Sequence, residues 1–537
     1  MDSSSQAPPA HNRSSNLPSA IRWWRRWGPQ RWIALRRTIQ TLALLGFVVL
    51  FIWSRRGGWC PQLVNAPMRL DPLAMLAHML ASRTALAGSA LALIIVGLTL
   101  LSGRAWCGWL CPLGTLLDWF PLRRRRPAQP SVSESWRSVK HGLLVTILVA
   151  AAFANLTLLI FDPLTILFRT LSTSVWPAVD QLVTGLETGL YRVPALQPAV
   201  GALDGLIRPV VLPTEPVFYR YTLLYASVFL GVIALNLIAP RFWCRYLCPL
   251  GALLGLLSKV GIVQRRVNQH CIQCGACARV CPTGTIQPAQ DYASDPGECT
   301  MCLDCLGTCP ADAIDFSARI PSGNWNAYDP DRRRLLTSLG AAILGIGLFE
   351  TNLLAKRDHS RLIRPPGARE NNLLDKCIRC GECIRACPTS AIQPAVTEAG
   401  LEGLWTPILV PRAGYCDYSC SACGQVCPVQ AIPRLSLEEK RQQVIGKAYI
   451  DTDRCIAWAD LQDCIVCEEM CPVPDKAIVL ETVTMRTGDG EVVTVQQPHV
   501  IPNRCIGCGI CEYKCPVNGE AAIRVYVPPE ECGSVSF

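Results

Sequence analysis

Most of the 30 cysteines of this chain fall into six groups of four, and each group ends in Cys-Pro. Four groups have the spacing C-x2-C-x2-C-x3-C-P, whereas two have a longer first gap. Three closely spaced thiolates on one turn can hold three irons of a 4Fe–4S cubane, and the cysteine before proline reaches the neighbouring cluster. Structural zinc is the competing interpretation, but zinc sites pair two C-x2-C hooks instead of repeating this triple. The predicted ligands of six clusters are Cys271, Cys274, Cys277 and Cys281; Cys299, Cys302, Cys305 and Cys309; Cys377, Cys380, Cys383 and Cys387; Cys416, Cys420, Cys423 and Cys427; Cys455, Cys464, Cys467 and Cys471; and Cys505, Cys508, Cys511 and Cys515.

The chemistry that six such clusters offer is one-electron relay over distance. Glycines inside the turns, at Gly275, Gly381, Gly424 and Gly509, let the backbone approach a cluster and direct N–H groups at its sulfurs. No group has an open coordination position beside an acid–base pair, so we assign no catalytic residue. The chain also has no C-x-x-C-H haem motif and no G-x-G-x-x-G loop after a strand. We expect transfer between other carriers.

The first two cysteine groups form a compact unit, because only 17 residues separate them. This spacing is typical of two-cluster ferredoxins, in which the last cysteine of each group binds the other cluster. We therefore expect Cys309 to join the first three cysteines of the first group. Cys281 is expected to join the first three of the second.

Four more cysteines form two C-x3-C-P motifs, Cys107 with Cys111 and Cys244 with Cys248. On a helix each pair lies on one side with Cα atoms about 6 Å apart, within disulfide range. Three interpretations stay open: redox dithiols, one metal site formed by all four at the cytoplasmic face, and ordinary packing at helix ends. The two remaining cysteines are single and are interpreted as ordinary thiols: Cys60 and Cys532.

The elements that position these motifs are predicted to lie in a membrane. Half of the 537 residues are apolar and 17% are charged, which is too hydrophobic for an ordinary soluble enzyme. Apolar runs at about 36–54, 84–103, 141–161 and 221–240 are long enough to span a bilayer. Arginine-rich segments flank them, and the positive-inside rule places both ends of this four-span unit in the cytoplasm. The net charge of +10 is thus explained without nucleic acid.

The membrane unit contains an internal repeat. Asp71-Pro72 precedes the second span and Asp162-Pro163 the fourth, and each of these spans ends in a C-x3-C-P-L-G motif. Two matching helical pairs predict a pseudo-twofold bundle. Asp before Pro starts a helix as its N-cap. Alternatively, these carboxyls together with His78 accept protons from a quinol. An insertion at about 170–218 has the apolar spacing of a helix on the outer surface.

A fifth apolar stretch, 335–354, follows three arginines, Arg332 to Arg334. This order matches a twin-arginine export signal, and a plain membrane helix is the alternative. Both interpretations place the residues after 355 outside the cytoplasm. If the segment does not span the membrane, those residues are cytoplasmic.

The order of these parts resembles two known families. Residues 34–318 resemble the NapH ferredoxin-type membrane proteins, with four spans, two C-x3-C-P motifs and two clusters. Residues 332–537 resemble the NapG/MauM ferredoxin-type proteins, with a twin-arginine start, the run Arg364 to Ala368 and four cluster motifs. The chain thus resembles a natural fusion of the two. Its departures are Asp331 in place of the usual Ser or Thr, no evident cleavage site and an enlarged 170–218 insertion.

The resemblance implies a function in a respiratory chain. It implies quinol oxidation in a bacterial-type inner membrane and electron delivery to an extracytoplasmic redox enzyme or cytochrome, as the quinol dehydrogenase component. Four-cluster ferredoxin-like subunits further imply that the third cysteine group pairs with the sixth and the fourth with the fifth. The alternative function is a maturation factor for a metalloenzyme or quinone-cofactor enzyme. A membrane iron–sulfur sensor has no kinase or DNA-binding segment to support it.

The predicted fold is a polytopic α-helical membrane domain with α+β ferredoxin-like domains, one binding two clusters and one binding four. The predicted domains are a basic N-terminal segment (1–33), the four-span domain (34–260), the two-cluster domain (261–318), a linker (319–334), the export or fifth membrane segment (335–354), a second linker (355–375) and the four-cluster domain (376–537).

Overall fold

The computed structural model describes residues 28–55, 60–120, 136–208, 211–212, 217–318, 337, 339–340, 359–486 and 492–528. Several predictions fall outside these residues. They concern nearly all of the N-terminal segment, the three arginines before 335, most of 335–354, Asp331 and Cys532.

The first part of the chain is a bundle of helices, here called the helical domain. Its α-helices are α1 (Pro29–Trp53), α2 (Pro61–Val64), α3 (Ala66–Arg69), α4 (Pro72–Ser82), α5 (Ala92–Ser102), α6 (Pro112–Trp119), α7 (Arg137–Ala152), α8 (Pro163–Thr170), α9 (Trp176–Tyr191), α10 (Gln197–Ile207), α11 (Thr222–Ala234) and α12 (Pro249–Ser258). Asp71 caps α4 and Asp162 caps α8, each by accepting two backbone N–H bonds. The predicted N-cap role of both is confirmed.

The predicted spans are helical but mostly broken. Only the first is one continuous helix, and within the described residues its Gln30–Trp53 portion alone is long and apolar enough to cross a membrane. Short 3-10 turns interrupt or extend the other three, at Ala87–Leu91, Thr157–Phe161 and Leu235–Leu237. At these breaks, neighbouring groups supply hydrogen bonds to the backbone N–H groups. For example, the side chain of Asn155 accepts the N–H of Thr157. A multi-span membrane domain therefore stays a prediction.

The predicted helix in the insertion is present. A π turn, Leu171–Val175, leads into α9, and α10 follows after a 3-10 turn. Leu182, Leu186 and Leu190 recur along α9 and are exposed. This exposed apolar stripe has the pattern expected of a helix lying on a membrane surface.

The cysteine-rich segments form two further domains with small antiparallel sheets, in which β1 pairs with β4, β2 with β3, β5 with β6, β7 with β10, and β8 with β9. The two-cluster domain contains β1 (Val263–Val267), α13 (Ala276–Val280), β2 (Ile286–Gln287), β3 (Ala293–Ser294), α14 (Asp304–Thr308) and β4 (Ile314–Ala318). The four-cluster domain contains α15 (Glu370–Lys376), α16 (Glu382–Ala386), β5 (Ile392–Pro394), β6 (Pro407–Leu409), α17 (Ala422–Val426), α18 (Leu437–Arg441), β7 (Lys447–Ile450), α19 (Ile456–Ala459), α20 (Val466–Glu469), β8 (Ile478–Arg486), β9 (Val492–Val500), α21 (Ile510–Lys514) and β10 (Ile523–Tyr526).

These two domains contact opposite ends of the helical domain. Near the start of α7, Lys140 forms a buried ion pair with Glu298 of the two-cluster domain. Just beyond the end of α7, Thr157 donates a hydrogen bond to the carbonyl of Glu402 in the four-cluster domain. The 16 residues of α7 span about 24 Å between these contacts.

The long helix α1 gives the same orientation independently. Arg36, in its second turn, pairs with Asp304 of the two-cluster domain at 3.1 Å. Near its other end, the carbonyl of Phe51 accepts a hydrogen bond from Arg385 of the four-cluster domain at 3.2 Å. The helical domain therefore separates the two cysteine-rich domains.

Candidate metal centres and a buried carboxyl pair

The C-x2-C pair that ends each cysteine triple sits on a turn that leads into a short helix. Gly275, Gly381 and Gly509 precede these helices in the left-handed backbone region, at φ 71°, 86° and 81°. Glycine adopts this region without steric cost, which allows the tight turn. Gly424 has a different reason, because a β-carbon there would lie 2.1 Å from the carbonyl oxygen of Pro433.

In the two-cluster domain the structure groups the thiols as predicted. Cys309 lines one cavity together with the first three cysteines of the first group. Cys281 lies close enough to Cys302 and Cys305 for their charges to interact. Helices α13 and α14, which carry the two groups, pack on each other and bring about this exchange.

In the four-cluster domain the predicted pairing is wrong. The third cysteine group pairs with the fourth and the fifth with the sixth, because α16 packs on α17 and α20 packs on α21. Cysteines from the third and fourth groups thus line the same cavity or lie close enough for their charges to interact. The same holds for cysteines from the fifth and sixth groups. The four resulting sets are Cys377, Cys380, Cys383 and Cys427; Cys416, Cys420, Cys423 and Cys387; Cys455, Cys464, Cys467 and Cys515; and Cys505, Cys508, Cys511 and Cys471.

These four sets follow one another in a row. The backbone N–H of Cys416, in the second set, donates to the carbonyl of Cys508, in the fourth, at 2.8 Å. Cys511 lies within electrostatic range of Cys467, in the third set. The set containing Cys377 lies at one end of this row, and the set containing Cys455 lies at the other. We call the set containing Cys377 the proximal set, because it touches the helical domain.

The proximal set is fastened to the helical domain by buried polar contacts. Arg379, 2% exposed, lies between two of its cysteines in sequence and donates to Thr157 Oγ1 at 3.2 Å. Asn65 donates to the carbonyl of Val426 at 3.1 Å. The guanidinium of Arg169 lies 3.8 Å from the ring centre of Trp405. The set is therefore held firmly against the bundle.

Near this end of the bundle, Asp71 and Asp162 meet as a buried carboxyl pair. One oxygen of each is occupied by its helix cap, at 2.8 Å from the Leu73 nitrogen and 3.0 Å from the Leu164 nitrogen. Their remaining oxygens, Asp71 Oδ2 and Asp162 Oδ1, are buried without a hydrogen-bond partner among the described residues, and the two carboxyls are close enough for their charges to interact. Burial raises the pKa of both, and the charge of Asp71 raises the pKa of Asp162 further.

The third residue of the predicted quinol site, His78, is not in this pair. It lies seven residues along α4 from Asp71, on the same face and about 10 Å away. Its ring is 1% exposed, and neither ring nitrogen has a hydrogen-bond partner among the described residues. Burial, with a smaller contribution from the charge of Lys376, lowers the pKa of His78 to about 4. The imidazole is therefore neutral at physiological pH.

The two C-x3-C-P motifs also meet, at the end of the bundle that carries the two-cluster domain. Their local structure differs from the expected α-helix, because π turns, Trp106–Leu110 and Trp243–Leu247, precede the second cysteine of each. Cys111 and Cys248 then cap α6 and α12. Sequence reasoning missed Arg104 and Arg241, which lie buried beside these cysteines. The available signal was their equivalent position, three residues before the first cysteine of each motif.

Comparisons with known families agree with this cysteine chemistry. A family described as "4Fe-4S binding domain" matches residues 84–128 and 221–268, and another of that description matches 267–287 and 498–519. A "4Fe-4S dicluster domain" family matches residues 291–388. That match joins two cysteine groups that lie at opposite ends of the helical domain, so it identifies motifs and not a compact unit.

Individual proteins are similar over about two fifths of the chain. The methylamine utilization ferredoxin-type protein MauM of Methylorubrum extorquens is 36% identical over 215 residues, which are 38% of this chain and 91% of that protein. The ferredoxin-type protein NapG of Escherichia coli is 36% identical over 203 residues, 36% of this chain and 84% of NapG. The MauM protein of Paracoccus denitrificans is 36% identical over 193 residues, 35% of this chain and 82% of that protein. No solved structure matches the chain.

Proposed function

Since the chain belongs to the MauM and NapG family of ferredoxin-type iron–sulfur electron-transfer proteins, we propose that it passes electrons from a membrane quinol to a redox partner outside the cytoplasm. Six 4Fe–4S clusters, bound by the cysteine sets described above, would supply the one-electron carriers. In this proposal a NapH-like membrane unit is fused to a NapG/MauM-like unit.

The observation that carries the proposal is the contact between the proximal set and the helix that Asp71 caps, α4. Helix α15, which leads into Cys377, packs on α4. A proton-accepting pair and an electron-accepting cysteine set thus adjoin the same short helix.

The buried groups suit the two products of quinol oxidation. A quinol that becomes a quinone releases two electrons and two protons. In this proposal the Asp71–Asp162 pair holds one shared proton, and its remaining negative charge takes up one of the two released protons while the other passes to water. The neutral ring of His78, with two free nitrogens, can accept or donate a hydrogen bond to a quinol oxygen.

The surface of the helical domain supports a membrane location. Leu42 on α1, Leu93 on α5 and Leu223 on α11 are 62%, 66% and 84% exposed. Large apolar side chains exposed on several neighbouring helices are typical of a surface that contacts lipid. The separation of the two cysteine-rich domains by this bundle supports an inner two-cluster domain and an outer four-cluster domain. This orientation agrees with an inner-membrane location.

The test is anaerobic reduction of the full chain in lipid nanodiscs by a menaquinol analogue, followed by visible absorbance. Asp162→Asn retains the helix cap, because Asn caps as well as Asp, but it removes the ionisable group. We expect this variant to be reduced at least about tenfold more slowly by quinol and equally fast by dithionite. Asp180→Asn, which changes a buried carboxyl on α9, is the matched control and should behave as the wild type. Absence of quinol-driven reduction in the wild type would refute the proposal and favour the maturation function.

A further inference from the structure

The helical repeat brings four cysteines, which the six cluster sets do not use, to one place. All six pairs among Cys107, Cys111, Cys244 and Cys248 are close enough for their charges to interact. Cys111 and Cys248 are buried, and the other two are partly buried. Neither motif alone supplies more than two thiols, so a four-thiol site exists only where the repeats meet.

The backbone around these thiols is built in the same way in both repeats. The N–H of Gly114 donates to Cys111 Sγ at 3.5 Å, and the N–H of Gly251 donates to Cys248 Sγ at 3.2 Å. A β-carbon at Gly251 would lie 2.7 Å from Arg104 Nη2, so a side chain there would displace this guanidinium. Backbone N–H groups directed at cysteine sulfur are typical of iron–sulfur sites, where they stabilise the thiolate ligands.

Two buried arginines supply positive charge to the same place. Arg104 is 1% exposed and hydrogen-bonds to the side chain of Cys107, and its charge also acts on Cys248. Arg241 is 2% exposed, and its Nη1 donates to the carbonyl of Cys107 at 3.2 Å. Two buried guanidiniums can offset the negative charge that four thiolates would bring to a cluster in this site. Their repeat-related positions indicate one shared site and not two.

The four thiols lie directly against a cysteine turn of the two-cluster domain. Trp109, inside the first motif, donates its indole N–H to the carbonyl of Met301 at 2.9 Å. Gly108 approaches the same turn so closely that a β-carbon would meet the Thr300 carbonyl oxygen at 2.1 Å. The charge of Arg241 also acts on Cys302. The site therefore stands between the two-cluster domain and the interior of the bundle.

We propose that Cys107, Cys111, Cys244 and Cys248 together bind one iron–sulfur cluster, a seventh centre formed jointly by the two repeats. The family match covers each motif separately, at 84–128 and 221–268, whereas the geometry indicates a single cluster between them. Its exchange with the neighbouring cluster of Cys302 would move one electron, oxidising one centre and reducing the other, with no bond made or broken. This centre goes beyond the quinol function and does not depend on it.

Native mass spectrometry of the anaerobically purified full chain tests this proposal. We expect a fully loaded species with seven clusters, against six in Cys111→Ala/Cys248→Ala. That variant should lose one cluster, about two to four iron atoms with matching sulfide, and one component of the reduced electron paramagnetic resonance spectrum. Cys60→Ser changes an exposed single cysteine and should leave all three measurements unchanged.

The wild-type spectrum is decisive even if the double variant does not fold. A maximum of six clusters, accompanied by disulfides or by a zinc ion in the four-thiol site, overturns the proposal. Seven clusters in a chain that quinol cannot reduce would leave the seventh centre intact and refute the proposed function. A six-cluster chain that quinol reduces fully would refute the seventh centre and leave the proposed function intact.

Discussion

Asp71 and Asp162, at equivalent positions of the two repeats, lie buried and close enough for their charges to interact, while each also caps its own helix. Burial and the mutual charge of the two carboxyls oppose ionisation of both, so the pair favours holding one proton. Each of these two aspartates thus caps a helix and can also hold the proton of the pair. The helix cap and the proton can be separated experimentally because Asn performs only the first.

The first prediction concerns the pH dependence of stability. Unfolded carboxyls have a pKa of about 4, and burial raises both values in the folded protein. The stability that the pair contributes is therefore fully present below about pH 4 and is lost as the pH rises through the raised folded pKa. We expect the thermal midpoint of the wild type to fall more between pH 5 and pH 8 than that of Asp162→Asn.

Two further variants complete this measurement by differential scanning fluorimetry in detergent. Asp162→Ala removes the cap as well and should cost about 1 kcal/mol relative to Asn at every pH. Asp453→Asn, at an exposed turn, should follow the wild-type pH dependence. Parallel pH curves for the wild type and Asp162→Asn would show that the two carboxyls do not share a proton.

The second prediction concerns the buried ion pairs that attach the two-cluster domain. Glu298 contacts Lys140 and, at 3.3 Å, Arg104, and these charges lower the pKa of Glu298 to about 2 in spite of burial. Glu298→Gln leaves both cations without their counter-charge, which should lower the free energy of unfolding by about 3–5 kcal/mol. Hydrogen exchange should then increase across 261–318, whereas exposed Glu438→Gln should leave it unchanged.

The same ion pairs give an acid dependence of the opposite sign to that of the carboxyl pair. Because the folded pKa of Glu298 is depressed, its contribution is present above the unfolded pKa of about 4.3 and is lost as the pH falls towards 2. Hydrogen exchange of 261–318 should therefore increase between pH 5 and pH 3 in the wild type. A wild-type profile as flat as that of Glu298→Gln would contradict the burial of this pair.

Local rules predicted the cysteine turns and helix caps well. Gly381 and Gly509 take the left-handed conformation that a tight cluster turn needs, and Asp71-Pro72 begins a helix, because these features depend on neighbours in sequence. The pairing of cysteine groups failed, since it depends on which of several similar short helices pack together. Neither composition nor cysteine spacing indicates which of these short helices pack together.

Contacts across the repeat were foreseen from the sequence only as open alternatives. Asp71 and Asp162 are 91 residues apart, and each alone has a sufficient explanation as a cap. Arg104 was not singled out from the sequence and Arg241 was only part of a basic segment flanking a span, yet both are buried and paired with backbone carbonyls or carboxylates. The repeat itself was visible, and treating it as two facing halves would have suggested both encounters.

The third prediction concerns attachment of the four-cluster domain through Arg379. This side chain donates to the carbonyls of Leu404 at 3.0 Å, Cys377 at 2.9 Å and Glu402 at 2.7 Å, and also to Thr157. Arg379→Ala leaves these buried acceptors without a donor, which should lower the free energy of unfolding by about 2–4 kcal/mol.

Hydrogen exchange at 65–82 and 370–386 should increase in Arg379→Ala, because the contact between the two domains is loosened. Arg504→Ala is the control, because it removes an exposed side chain that donates to the Asp475 carbonyl within the same domain. Unchanged exchange in both segments would show that Arg379 is not needed for docking.

The last prediction tests the cysteine pairing. Cys427 completes the proximal set although it belongs to the fourth group, whereas Cys515 completes a set at the far end of the row. Cys427→Ser should therefore perturb the cluster nearest the carboxyl pair and slow quinol-driven reduction of all the others. Cys515→Ser should alter only a distal cluster and leave the initial reduction rate within about twofold of the wild type, since electrons reach that cluster last. Electron paramagnetic resonance after rapid freezing distinguishes the two variants. If Cys427→Ser instead spared the proximal signal and Cys515→Ser removed it, the third group would pair with the sixth, as four-cluster ferredoxins had suggested.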